Sequence, residues 1–95
     1  MVKPIAAVVF EGTVALDADA DLGTIGEWAP GVREKLTALR ETHTVLIVSA
    51  FARTDGGVRR LTALMYQDDI PFDDVWCGLG VPVCDRLYDN RAEKL

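Results

Sequence analysis

Two continuous apolar runs mark the first half of the chain, Ile5 to Phe10 and Thr44 to Val48. Each is short, contains Val, and gives way to polar residues. A strand exposed on one face would alternate, so these runs predict strands buried on both faces of a parallel sheet. After Pro30-Gly31, Val32, Leu36 and Leu39 recur at i, i+4 and i+7, while Arg33, Glu34, Lys35 and Arg40 fall elsewhere on the wheel. That spacing predicts a helix ending near Thr42. A second stripe, Val58, Leu61, Leu64 and Met65, predicts another helix after a loop from Ser49 to Gly57. Pro71 breaks the chain before a short strand, Phe72 to Trp76, and a loop with Gly and Pro leads to Val83. A last short strand centres on Arg86 to Tyr88, before a polar tail from Asp89 to Leu95. The acidic stretch from Ala15 to Ala29 has no period and reads as a loop or small flap.

Buried strands alternating with amphipathic helices predict an α/β fold. The expected form is a small Rossmann-like, three-layer fold: a parallel sheet of about four strands flanked by helices. Right-handed crossovers, with the last strand returning beside the first, give the order 3-2-1-4. Ninety-five residues make one domain, residues 1–95. In such open sheets ligands sit at the carboxyl ends of the strands. That singles out Glu11-Gly12-Thr13, Ser49-Ala50, the loop after Trp76, and Asp89-Asn90.

Composition narrows the function. A hydrophobic fraction of 49% argues against disorder, and a net charge of −5 argues against nucleic acid as a partner. The Ala, Val, Gly and Arg bias fits a GC-rich genome. The apolar run near the amino terminus is too short for a signal sequence or membrane span, so a cytoplasmic protein with no membrane partner is expected. Cys77 and Cys84 form no CxxC, and the one histidine, His43, is remote, so no zinc signature exists. Two free thiols are expected.

The segment Val8-Val9-Phe10-Glu11-Gly12-Thr13-Val14 resembles the first motif of the haloacid dehalogenase-like phosphohydrolases, a strand followed by Asp-x-Asp-Gly-Thr. Four further stretches are similar to the family in the same order. They are Ala29-Pro30-Gly31-Val32, Val45 to Ser49, Asp69-Ile70-Pro71-Phe72-Asp73, and Pro82 to Arg91 with its Asp89-Asn90-Arg91. The resemblance spans nearly the whole chain and implies a small capless member. It implies a nucleophile at Val9, a general acid/base at Glu11, a phosphate-holding hydroxyl at Ser49, an active-site lysine at Val81, and a metal-binding acid at Asp89. Gly12, Thr13, Ser49 and Ala50 are the implied phosphate-binding positions, and Glu11, Asp89 and Asn90 the implied metal positions.

The chain departs from that pattern where chemistry is concentrated. Val9 can neither attack nor ligate, and no Lys lies between Lys35 and Lys94 to serve in place of Val81. Asn90 replaces an acid, so Mg²⁺ binding is expected to be weak at best, and no other cofactor is implied. The resulting expectation is a catalytically inactive member that binds a protein or a small phosphorylated ligand. One alternative is a weak Mg²⁺-dependent phosphohydrolase in which Glu11 and Asp89 activate water. Another is a structural module that self-associates through a sheet edge, as a homo-oligomer. Taken alone, Glu11-Gly12-Thr13 is equally a polar turn and Ser49 a strand end. Asp68-Asp69 and Asp73-Asp74 read as solvated charge, and Trp28 and Trp76 as packing residues.

Overall fold

The computed structural model describes residues 2–78 and 82–89. Strand β1 (Ile5–Val9) leads through an irregular segment to helix α1 (Val32–Thr42), then β2 (Thr44–Val48). A 3-10 turn (Ala50–Arg53) opens directly into α2 (Asp55–Gln67), followed by β3 (Asp74–Val75) and β4 (Arg86–Tyr88). The strands form one parallel sheet in the order β3-β2-β1-β4, as the crossover rules require. Ile5 lies opposite Thr44 and Val9 opposite Val48, so both central strands end at the same level.

Register fixes which side chains share a face. Val8, Val45, Ile47 and Val75 join one buried cluster with Val32 and Leu36 of α1 and Leu61 and Met65 of α2. Both helices therefore pack on the same side of the sheet. This follows from topology: β1→β2 and β2→β3 step in the same direction, so right-handed crossovers put both helices on one face. Phe10, fully buried, meets Trp28 and Phe51 edge-on at centroid distances of 5.9 and 6.1 Å. Burying each such large side chain contributes roughly 1.5–3 kcal/mol. Among the described residues no helix is long and apolar enough to cross a membrane.

Three local expectations change. Helix α2 begins at Asp55, inside the stretch expected to be a loop. The Thr54 side chain caps it by accepting from Gly57 N–H at 3.0 Å, and Gly57 is needed because a Cβ there would lie 1.8 Å from the Phe51 carbonyl oxygen. The strand expected over Phe72 to Trp76 is only Asp74–Val75. The flanking amides of Asp73 and Trp76 still reach Val45 and Ile47 carbonyls. Of the four acids expected to be solvated, Asp69 and Asp74 are exposed, but Asp68 and Asp73 serve as anchors. Asp73 accepts from Val45 N–H at 2.7 Å and pairs with Arg40 at 3.1 Å, while Asp68 accepts from Trp28 Nε1.

The flap is a small hairpin. Leu16 N–H donates to Glu27, and Asp19 and Thr24 exchange both backbone bonds. Gly26 permits the approach, since a Cβ there would lie 2.0 Å from the Leu16 carbonyl oxygen.

Candidate functional site

The carboxyl ends of β1 and β2 bring Glu11, Ser49 and Ala50 together. The chain leaves β1 through a tight turn in which Val14 and Ala15 N–H both donate to the Phe10 carbonyl. Gly12 has φ 83°, the left-handed conformation that favours glycine. The turn aims the Glu11 side chain across the top of the sheet toward β2. Its Oε2 accepts from Ser49 Oγ at 3.0 Å and from Ala50 N–H at 2.9 Å. Ser49 Oγ also accepts from Phe51 N–H at 3.1 Å. The hydroxyl's one hydrogen is thus spent on Glu11, while the oxygen caps the 3-10 turn.

The remaining positions singled out by sequence are placed as follows. Val9, half-buried, ends β1 beside Val48. Asp89 follows β4 directly, and the pairing of Val8 with Tyr88 carries it to the level of Val9. Gly12 N–H is taken by the Ala15 carbonyl at 2.9 Å and does not point to a ligand. Thr13 Oγ1 is buried and, among the described residues, without a hydrogen-bond partner. Val81 and Asn90 lie outside the described residues.

Among the described residues the donor set does not fit a divalent metal. Val9 supplies no oxygen, and Glu11 spends a carboxylate oxygen on Ser49 and Ala50. Among the described residues no three His, Cys, Asp or Glu side chains gather to hold an ion. Mg²⁺ needs near-octahedral oxygen ligation, which this arrangement does not offer.

Beside the Glu11–Ser49 contact lies a cleft of about 400 Å³, lined by Val48, Ser49, Ala50, Arg53, Trp76 and Cys77 among others. Reasoning from sequence missed Arg53. It stands four residues beyond Ser49, and the 3-10 turn folds it back over the strand ends. Its guanidinium meets Asp21 of the hairpin at 3.3 Å, both side chains being well exposed, so an anionic ligand can compete for it. Trp76 adds an indole, with Gly78 against its ring. Cys77 and Cys84 are both free thiols. Cys77 follows β3 and Cys84 precedes β4, on opposite edges and at opposite ends of the sheet.

No family model, curated protein or solved structure matches the chain.

Proposed function

We propose that this chain is a catalytically inactive protein on a scaffold of haloacid dehalogenase type, binding a phosphorylated small molecule or a protein without turning it over. The observation that carries this reading is the Glu11 carboxylate seated on Ser49 Oγ–H and Ala50 N–H. Those are the donors that, by the resemblance, would hold phosphoryl oxygens. A built-in carboxylate there competes with any incoming anion. It also holds the acid/base candidate in a structural contact. Val9, where the resemblance puts an attacking carboxylate, has no group that can form a covalent intermediate. Arg53 on the cleft wall supplies the positive charge that an anionic ligand requires.

The test is thermal denaturation with and without millimolar inorganic phosphate. Glu11→Ala frees both donors, and phosphate should raise its melting temperature by binding the folded state. The parent chain, which offers the anion Arg53 but neither of those donors, should show a smaller shift. A parent chain that binds phosphate as tightly as the variant, or a folded variant that gains nothing, would remove the basis of the reading.

A further inference from the structure

Arg53 borders a second cavity besides the cleft at the strand ends. It measures about 310 Å³ and lies between the hairpin and the start of α2. Ala20 and Gly23 of the hairpin line it, with Thr54 and Gly56 at the start of α2, Arg53, and Arg60 from further along α2. Gly56 leaves room, since a Cβ there would meet nothing within 4 Å. The chain carries 15 Asp and Glu against 10 Lys and Arg. Yet among the described residues two guanidiniums line this cavity and no carboxylate does. Two like charges on one cavity repel, and an anion between them relieves the repulsion.

Local contacts hold Arg60 in place without using its donors. Its guanidinium carbon lies over the Phe51 ring, 5.6 Å from the centroid. On the hairpin side, a Cβ on Gly23 would lie 3.6 Å from Arg60 Nη1. A guanidinium carries five N–H donors, which a ring face leaves to other acceptors. Among the described residues no carboxylate pairs with Arg60. Arg53 pairs with Asp21 at 3.3 Å, but both side chains are well exposed, and such pairs contribute little. Asp21 is therefore a weak competitor at the rim rather than a permanent counter-ion.

We propose that this cavity is an anion site that holds the phosphate group of a small ligand between Arg53 and Arg60. A guanidinium meets a phosphate through two parallel N–H bonds, so a pair of them selects a tetrahedral oxyanion over a halide. The site needs neither the Ser49 hydroxyl nor the Ala50 amide, so it does not rest on the reading of Glu11. The probe is inorganic phosphate, titrated calorimetrically into the full chain at constant ionic strength set by sodium chloride. Arg53→Gln and Arg60→Gln should each weaken binding at least fivefold. Arg60→Lys keeps the charge, loses the fork, and should weaken it at least twofold; it also serves if Arg60→Gln does not fold. Asp21→Asn removes the competitor and should strengthen binding at least twofold. Arg59→Gln, beside Arg60 in sequence but not lining the cavity, should change nothing. No binding by the parent chain would overturn the proposal, as would unchanged binding by a folded Arg60 variant. An equal loss in Arg59→Gln would also overturn it, since net charge would then be the cause. Glu11→Ala separates the two sites: its gain in phosphate affinity should be the same with and without Arg60→Gln. A gain that Arg60→Gln removes would assign Arg60 to the donors under Glu11 and overturn the separate site. No gain at all would contradict the reading of Glu11 and leave this site supported by its own variants.

Discussion

Val9 and Glu11 decide the chemistry of the strand ends, and they do so by opposite means. Val9 is a β-branched residue well suited to the last position of a buried strand, and it brings no charge to that place. Val9→Asp introduces a charge without a partner cation. It should cost about 1–3 kcal/mol, less than for a fully enclosed site because the position is half-buried. Asp89 lies at the same level on the neighbouring strand, so the two carboxylates would repel, and millimolar Mg²⁺ should recover part of the loss. Melting temperatures with and without Mg²⁺ check this. No destabilisation and no recovery would mean that Val9 does not stand where two carboxylates can share an ion. The identity of Glu11 was legible in the sequence, but not the direction of its side chain. Nothing in Glu-Gly-Thr says that the turn sends the carboxylate across to Ser49, 38 residues away. Arg53 escaped for a similar reason: four residues past a strand end can point anywhere until the 3-10 turn is known.

Among the elements, β1 and β2 were legible because full burial leaves a continuous apolar run. Helix α1 was legible because its stripe repeats at helical spacing from Val32 to Leu39. The start of α2 was not. Asp-Gly-Gly reads as a turn by composition, yet the Thr54 cap and the approach of Gly57 to the Phe51 carbonyl make it the first helical turn. The two glycines should therefore behave differently. Gly56→Ala meets nothing within 4 Å and should stabilise the protein by up to about 1 kcal/mol through helix propensity. Gly57→Ala drives a methyl into backbone and should cost at least ~2 kcal/mol. Chemical denaturation of the pair measures both, and equal effects would mean that the helix starts after Gly57. Strand β3 was overextended because Phe72 and Trp76 are good strand formers, whereas only Asp74 and Val75 pair with β2 as a strand. The anchoring role of Asp68 rests on Trp28, 40 residues away, a contact that no local pattern encodes.

At the scale of the whole molecule, the four parallel strands and two same-side helices leave the cleft at one end of the sheet. Strand order was readable because handedness allows few arrangements once the alternation of elements is known. The one-sided helical layer follows from the same rule, since the connection from β3 to β4 has no amphipathic stripe. The cleft brings together a cation, an indole and a hydroxyl whose hydrogen is already taken by Glu11. The most direct measurement is hydrolysis of a broad panel of phosphomonoesters by the purified chain with Mg²⁺, followed by release of inorganic phosphate. The expected result is no turnover above background, and none gained or lost in Glu11→Gln. Robust turnover that Glu11→Gln abolishes would show that Glu11 moves protons, and the reading of an inactive binding site would be wrong.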